Sequence, residues 1–345
     1  LVARIEGAMG LSTHLVNVAG IIRRTADLFS VTPADWDAQH DINLKAVHDL
    51  SEQQAVTVRA SYYDETSQVT YSGLTLAEWQ ADPYQNPFRN DEMDAQRFGT
   101  SATHRFELSP AVTFTTNAYY TYFNRDWWRQ SSNSAQRPND ASDPACAGMA
   151  NLLTTCGNEG RLRQFWTAGL EPRVTMQHGL FGVDNVAEAG VRYHFEDQFR
   201  IQANGDTPTA RDPGTGRNAG IREDSDRTVE ALSAFVQNRF DFGRWTVTPG
   251  VRFEHVDYER TDNLVGATGE STVDEVIPGI GATFEVLPET VLFAGVHRGF
   301  APPGVADIVT AAGGSVDLDA ELSWNYELGV RANPRDGLSY EATLF

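Results

Sequence analysis

The stretch "WNYELGVR", residues 324–331, alternates between apolar and polar side chains at every step. The two sets fall on opposite sides of an extended chain: Trp324, Tyr326, Leu328 and Val330 against Asn325, Glu327, Gly329 and Arg331. A period of two is typical of a β-strand with one apolar and one wet face. Residues 338–345, "LSYEATLF", repeat the pattern. Both stretches are therefore predicted to be strands.

The same alternation recurs along the chain and predicts about twelve strands. They are expected at residues 42–50, 55–65, 98–107, 111–125, 163–177, 184–200, 228–241, 245–260, 273–285, 290–300, 322–332 and 338–345. Several exceed the ~5–6 residues usual in soluble sheets and reach the ~9–11 that cross a bilayer at a tilt.

The connections alternate between short and long. Short turns are expected at 51–54, 108–111, 178–182, 242–244, 287–289 and 334–337, and long polar loops near 66–97, 126–162, 201–227, 261–272 and 301–321. Sandwiches and propellers rarely place all short connections on one side, whereas transmembrane barrels do. The predicted fold class is an all-β, antiparallel transmembrane β-barrel, with short periplasmic turns and long extracellular loops.

The composition argues against two classes of protein. The 345 residues carry 27 Lys plus Arg against 47 Asp plus Glu, a formal charge of −20, which argues against a nucleic-acid partner because phosphates would be repelled. The mean hydropathy of −0.39, without an apolar run of ~18 residues, excludes a helical membrane protein. A membrane barrel remains compatible, because its strands average apolar and polar residues.

The ends of the sequence predict an excerpt from a longer protein. It opens without an initiating Met or a secretion signal, and it stops within a predicted strand. Residues 1–40 show no decisive pattern, so they are an uncertain N-terminal segment of the barrel. Residues 41–345 are predicted to be a partial barrel.

Aromatic residues cluster near the predicted strand ends and suit interfacial girdles. They are Tyr62, Tyr63, Phe123, Trp127, Trp128, Phe165, Trp166, Trp245, Tyr258, Phe300 and Trp324. The alternative is that aromatics simply favour strands. Trp127 and Trp128, within "NRDWWRQSS" at 124–132, are predicted to anchor the membrane rim rather than to stack on a ligand.

Several stretches resemble the barrel of TonB-dependent outer-membrane receptors, specifically the ferric-dicitrate branch. They include the "DWWRQSS…CGNEGR" loop, "GLEPR" (169–173), "NGDTPTAR" (204–211), "VIPGIGATF" (276–284), "LFAGVHRGFAPP" (292–303) and "LSWNYELGVR" (322–331). The resemblance runs from about residue 41 to residue 345. "WNYELGVR" is generic to the family, whereas the tryptophan-containing loop and "HRGFAPP" point to the branch.

The resemblance implies a 22-stranded barrel, of which about twelve strands are present, in the outer membrane of a Gram-negative bacterium. It implies a plug domain in the lumen and a short segment that the TonB–ExbB–ExbD complex pulls on, and neither is recognisable here. Outer-membrane lipid, lipopolysaccharide and an iron chelate are the other implied partners. The iron arrives wrapped by citrate, so neither a cofactor nor a protein metal ligand is expected.

The acidic chain must concentrate positive charge locally if its ligand is a ferric tricarboxylate anion. Residues 124–163 carry five arginines against four acids, whereas residues 64–97 carry seven acids against two arginines. Arginine binds carboxylates through a planar fork. The predicted ligand donors are Arg129, Gln130, Arg137, Arg161 and Arg163, with Arg298 as a second candidate. The alternative is that these residues pair with neighbouring acids or lipopolysaccharide.

Two further features complete the sequence-based prediction. Cys146 and Cys156 lack the spacing of a zinc site, so a loop-stapling disulfide is predicted, with two unrelated thiols as the alternative. His297, next to Arg298, is expected to be a structural residue rather than a metal ligand.

No enzyme is predicted, because GxSxG, HExxH and Walker lysine motifs are absent and no catalytic residues are expected. Three other readings stay open: a receptor for another iron-siderophore, an outer-membrane barrel enzyme, and a secreted carbohydrate-binding protein. The long strands and one-sided loops disfavour the last.

Overall fold

A single extended strand leaves its backbone N–H and C=O groups without partners, so the alternating segments of this chain pair with one another as long strands. A computed structural model describes residues 2–4, 15–19, 38–70, 74, 76–86, 88, 90–130, 158–216, 219–305, 310, 314–316, 318–335 and 337–345. Side chains are described from residue 43 onward, apart from residues 78 and 335.

The described strands form one antiparallel sheet of 14 strands in sequential order. They are β1 (Val2–Arg4), β2 (Leu15–Ala19), β3 (Ala38–Ser51), β4 (Gln54–Ser67), β5 (Glu92–Ser109), β6 (Val112–Arg129), β7 (Asn158–Leu180), β8 (Val183–Gly205), β9 (Gly220–Phe242), β10 (Trp245–Asp262), β11 (Ala267–Leu287), β12 (Thr290–Ala301), β13 (Glu321–Arg335) and β14 (Leu338–Leu344). A short helix, α1 (Leu76–Ala81), lies between β4 and β5. No helix among the described residues is long and apolar enough to cross a membrane.

All twelve predicted strands are confirmed, as β3 to β14, and the all-β antiparallel fold is confirmed with them. Most extend beyond the predicted limits at the end with the long connections. β7 begins five residues earlier, at Asn158, and β8 ends five later, at Gly205. The alternation signal fails there because polar residues occupy both faces.

The predicted long loop at 261–272 is wrong. β10 and β11 continue into it and are joined by a turn at residues 263–266. The Asp262 carboxylate accepts hydrogen bonds from the backbone N–H groups of Leu264 and Val265, at 3.0 and 3.3 Å. Gly266 closes the turn with φ +67, a left-handed conformation that glycine adopts without strain.

The sheet has two chemically distinct faces, which β8 illustrates. Every second residue from 192 to 204 is polar: Arg192, His194, Glu196, Gln198, Arg200, Gln202 and Asn204. The intervening residues include Tyr193, Phe195 and Phe199. Because paired residues share a face, the strand register extends both faces across the sheet. We call them the polar face and the apolar face.

The apolar face exposes large hydrophobic side chains instead of burying them. Examples from five strands are Phe98, Phe114, Leu170, Val236 and Ile280. Aromatic pairs lie toward both ends of this face: Tyr122 with Trp166, and Trp245 with Phe284. A band of exposed apolar side chains between aromatic rings is the arrangement of a lipid-facing barrel wall.

A small apolar cluster lies on the polar face, where the β12–β13 connection folds inward. Its buried members are Val256, Tyr258, Val273, Val305 and Ala320, with Phe300 packed beside them. The "FAPPGV" stretch therefore holds the outer end of β12 against β10 and β11 and narrows the polar side of the sheet.

Candidate ligand site

Three arginines lie side by side on the polar face, one on each of three adjacent strands. Arg125 on β6 pairs in register with Arg163 on β7, which pairs with Arg200 on β8. We call these residues the arginine row. Directly opposed side chains in a sheet lie ~5 Å apart at Cβ, and like charges so placed repel each other. The row is therefore a concentrated positive charge in a protein with a formal charge of −20.

The arginine row lies beyond the apolar band, toward the long connections. Next to the row along the same strands, the other face of the sheet carries Asp94, Asp126 and Asp226. Within the apolar band, the corresponding positions on that face are apolar. Charged side chains on a lipid-facing surface are strongly unfavourable. We therefore place the row outside the membrane-spanning part of the strands.

Burial and repulsion by nearby arginines disfavour the charged form of each member of the row. Burial, together with Arg200 and Arg125, lowers the pKa of Arg163 to about 10. Burial first, and then Arg200 and Arg129, lower the pKa of Arg125. Burial also lowers the pKa of Arg200, which Glu223 partly restores. Arginine nevertheless stays charged in proteins, so the row keeps its positive charge at an energetic cost.

Glu159, at the outer end of β7, is fully buried and holds two neighbouring arginines. Its Oε1 accepts from Arg129 Nη2 at 2.6 Å and from Arg161 Nε at 3.3 Å. Gln202 donates to its other oxygen at 3.5 Å. The carboxylate fixes the planes of two guanidinium groups beside the row.

Glu223, on β9, is the second acid near the row. It lies 2.9 Å from Arg227, 3.7 Å from Arg161 and 3.8 Å from Arg200. Within the part of the chain that the structure describes, Arg125 and Arg163 form no ion pair, and Arg125 Nε is buried without a hydrogen-bond partner. These two side chains are the ones that a bound anion would satisfy.

Trp127 and Trp128 were predicted to anchor the membrane rim. Neither ring is exposed on the apolar face, so that prediction is wrong. Trp127 lies on the polar face, where the guanidinium groups of Arg129 and Arg125 stand 4.8 and 5.8 Å from its ring. Its Nε1 donates to the carbonyl of Val69 at 2.8 Å. Trp128 is only 5% exposed and lies over Gly160. Trp127 therefore packs against the guanidinium groups of Arg125 and Arg129, and Trp128 packs against Gly160 at the ends of β6 and β7.

Gly160 is required for this packing, which gives a test. A Cβ at Gly160 would lie 2.8 Å from the ring of Trp128. Because the ring is buried, we expect Gly160→Ala to lower the free energy of unfolding by about 1–3 kcal/mol, as overpacking does. Gly281→Ala is the matched control, since its Cβ would meet nothing within 4 Å. Equal midpoints of chemical unfolding for the two variants would contradict the packing role.

Two other predicted donors, Gln130 and Arg298, are not part of the row. Gln130 is buried, and its backbone N–H donates to Asp91 at 2.8 Å. Arg298 forms an ion pair with Glu275 at 3.3 Å and donates to the carbonyl of Val276 at 3.0 Å. Arg137 and the predicted disulfide of Cys146 and Cys156 lie outside the described residues.

Sequence reasoning missed Arg125 and Arg200 as candidates. Only the strand pairing identifies them: both lie on the polar face, and the register places them on either side of Arg163. His297, paired with Asn325, lies within hydrogen-bonding distance of its side chain at 3.4 Å. No group of three or more His, Cys, Asp or Glu among the described residues is arranged to hold a metal ion.

Known proteins similar to this chain are receptors and transporters rather than enzymes. The pesticin receptor of Yersinia pestis is 30% identical over 131 residues, which cover 34% of this chain and 19% of the receptor. The metal-pseudopaline receptor CntO of Pseudomonas aeruginosa strain UCBPP-PA14 is 28% identical over 116 residues, 32% of this chain and 16% of the receptor. The chain thus spans less than a fifth of these relatives.

Solved structures share the fold at low identity. The unliganded ferric citrate transporter FecA superposes with a TM-score of 0.72 at 20% identity, over 89% of this chain and 42% of FecA. The ferric yersiniabactin uptake receptor FyuA of Yersinia pestis gives 0.60 at 16% identity, over 96% of this chain and 48% of FyuA. The family described as "TonB dependent receptor-like, beta-barrel" matches residues 35–345, and the chain belongs to that family.

Proposed function

We propose that the intact protein is an outer-membrane receptor of a Gram-negative bacterium that captures an anionic iron chelate, with ferric dicitrate as the leading ligand. The arginine row carries this proposal. Uptake would be energised by the TonB–ExbB–ExbD complex acting on a segment outside this sequence. Lipid would contact the apolar band of the apolar face, and lipopolysaccharide would contact the charged residues beyond that band.

The chemistry of the row fits carboxylates. Arg125 and Arg163 present planar donor forks on adjacent strands, and each fork can bind one carboxylate through two parallel hydrogen bonds. A polycarboxylate would occupy both forks and relieve their mutual repulsion. Half-burial strengthens the attraction, because water screens it less than at an exposed surface. The chelator surrounds the iron in such a ligand, so the proposal requires no protein ligand to the metal.

Arg129 and Arg161 are proposed as secondary donors at the edge of the site. Glu159 accepts from both and fixes the orientation of their guanidinium groups beside the row. Arg137 is retained as a proposed donor from the connection between β6 and β7. We assign Gln130 and Arg298 no direct contact with ligand, because one is buried and the other is paired with Glu275.

The similar proteins support an iron or metal chelate as the ligand class. FecA is named a ferric citrate transporter and FyuA a ferric yersiniabactin receptor. Another iron-siderophore is therefore the second candidate. The row favours the more anionic chelate, because a neutral one would leave the repulsion between Arg125 and Arg163 in place.

Equilibrium binding to the full-length protein in detergent tests the proposal. We expect ferric dicitrate to bind with a dissociation constant of roughly micromolar or tighter and to weaken with added salt, because both partners are charged. A neutral ferric hydroxamate of similar size serves as the control and should bind at least about tenfold more weakly. Equal affinities for the two chelates, or a failure of ferric dicitrate to bind, would overturn the assignment.

A further inference from the structure

Glu223 is an acid on the polar face that several arginines share. Its Oε1 accepts a hydrogen bond from Arg227 Nη2 at 2.9 Å and lies 3.8 Å from Arg200 Nε. Its Oε2 lies 3.7 Å from Arg161 Nη1. The three guanidinium groups come from three adjacent strands, β7, β8 and β9. One carboxylate is therefore divided among three positive charges.

The two acids beside the row are held differently. Glu159 is fully buried, and its contact with Arg129 is 2.6 Å long. The Glu223 side chain is 19% exposed, and two of its three contacts are longer than the ~2.7–3.2 Å of a hydrogen bond. Within the part of the chain that the structure describes, the Nε of Arg200 is buried without a hydrogen-bond partner. Glu223 therefore offsets the charge of Arg200 without satisfying its donor, and solvent reaches the carboxylate.

A β-bulge lies next to Glu223. Gln202 on β8 pairs with Glu223, whereas the following residue, Ala203, pairs with Ile221. β9 therefore carries one extra residue, Arg222, at this point. A bulge bends its strand and re-aims side chains, and bulges are frequent next to active sites. Glu223 is thus placed where the ladder is irregular, close to the start of β9, and its side chain can turn away from the arginines without breaking a regular strand.

A ligand carboxylate at the arginine row would meet Glu223 as a competitor. Arg163, at the centre of the row, pairs in register with Arg200, whose charge Glu223 already shares. Two carboxylates near one guanidinium group repel each other, and the repulsion is stronger in a half-buried site than in water. A ligand that binds Arg163 and Arg200 together must therefore displace Glu223 or remain in repulsive contact with it.

We propose that Glu223 is an internal competitor, which occupies part of the anion site in the unliganded protein and is displaced by the bound chelate. Its displacement makes the Arg200 guanidinium available to the ligand, beside Arg125 and Arg163. A weakly charged ligand gains too little from the row to displace the carboxylate, so Glu223 makes the site selective for multiply charged chelates. The inference rests on the proposed function for the identity of the ligand.

Glu223→Gln tests the displacement. The variant keeps the shape of the side chain and removes the charge that competes with the ligand. We expect ferric dicitrate to bind the full-length variant in detergent about tenfold more tightly than the wild type, because blocked molecules reduce the apparent affinity of a site. If Glu223 merely oriented the arginines, its loss would weaken binding instead. Unchanged or weaker binding by this variant would overturn the inference.

Glu188→Gln is the matched control. Glu188 lies on the same polar face, is 21% exposed and pairs with Arg173 at 3.0 Å. It precedes Arg200 by twelve positions on β8, which places it roughly 40 Å from the row, well beyond the ~10 Å screening length at 0.1 M salt. The variant removes the same charge, and the affinity should change less than about twofold. Equal tightening in the two variants would show that the net charge of the protein, rather than Glu223, opposes the ligand.

Glu223→Asp provides a second variant, which keeps the inference testable if the glutamine variant does not fold. It retains the charge and withdraws the carboxylate by one methylene from Arg161 and Arg200, which already lie 3.7 and 3.8 Å away. The weaker competitor should raise the affinity for ferric dicitrate by about two- to fivefold. Weaker binding than that of the wild type would contradict the competitor role.

Iron-free citrate separates this inference from the proposed function. Citrate raises the midpoint of chemical unfolding of any form of the full-length protein that binds it. The rise should be larger for Glu223→Gln than for the wild type or Glu188→Gln. If ferric dicitrate fails to bind the wild type but citrate shows this order, the proposed ligand is wrong and the competitor stands.

The opposite result is equally distinct. If ferric dicitrate binds the wild type and neither variant of Glu223 binds it more tightly, the competitor is wrong and the proposed function stands. If neither ferric dicitrate nor citrate binds any form of the protein, both are wrong.

Discussion

Replacing Arg163 with glutamine is expected to weaken ferric dicitrate binding by the full-length receptor by roughly 30- to 150-fold. A hydrogen bond to a charged group contributes about 2–3 kcal/mol, and about 1.4 kcal/mol corresponds to a factor of ten. Arg163 occupies the centre of the row, between Arg125 and Arg200. Titration with the iron chelate in detergent measures the change.

The same variant should leave the unliganded protein at least as stable as the wild type. Folding lowers the pKa of Arg163 to about 10, below the ordinary value of 12.5. The charged form is therefore less favourable in the folded state, and this cost is present at neutral pH and disappears only as the pH rises above about 10. A structural arginine would behave oppositely, losing stability on substitution.

Arg239→Gln is the control for this prediction. Arg239 lies at the short-turn end of β9, exposed and 3.9 Å from Asp241. The substitution removes the same charge far from the row, so affinity should change less than about twofold, as expected for an exposed charge. If Arg163→Gln and Arg239→Gln weaken binding equally, general electrostatic attraction rather than the row binds the chelate.

Substitution of Glu159 is expected to have the largest effect on stability. Glu159 is fully buried between Arg129 and Arg161. Glu159→Gln keeps the shape but removes the buried carboxylate on which both guanidinium groups converge, and breaking a buried ion pair from one side costs about 3–5 kcal/mol. Chemical unfolding of the full-length protein in detergent measures the change in free energy.

Glu107→Gln is the matched control for Glu159→Gln. Glu107 pairs with Arg105, but both side chains are exposed, and such surface pairs contribute at most about 1 kcal/mol. Comparable losses in the two variants would show that burial does not govern the contribution of Glu159. A loss of chelate binding in Glu159→Gln is also expected, because Arg129 and Arg161 lose their fixed orientation.

Sequence periodicity located every strand from β3 to β14 because one face of each carries apolar side chains that alternate regularly. It failed at the strand ends beyond the apolar band. Around Gln202 and Asn204 both faces are polar or packed by small residues, so the period of two is no longer visible as hydropathy. The short turn at residues 263–266 was not predicted for the same reason. The strand residues on either side of it are charged or small, so their hydropathy does not distinguish them from a loop.

The candidate site was predictable only in part. Arg129, Arg161 and Arg163 were identified from the charge balance of residues 124–163. Their roles were not, because only the tertiary structure shows that Glu159 pairs with Arg129 and Arg161 and that Arg163 lies between two other arginines. Arg200 lies far from Arg163 along the chain, and no local pattern connects the two.

By itself, the sequence determined the fold class, the order of the strands and the sign of the charge near the site. These properties depend on local alternation and on composition, which a linear chain displays directly. The tertiary structure decided which arginines meet. Pairing register converts distant positions into neighbours ~5 Å apart, and a shift by one residue would move Arg125, Arg163 and Arg200 to opposite faces.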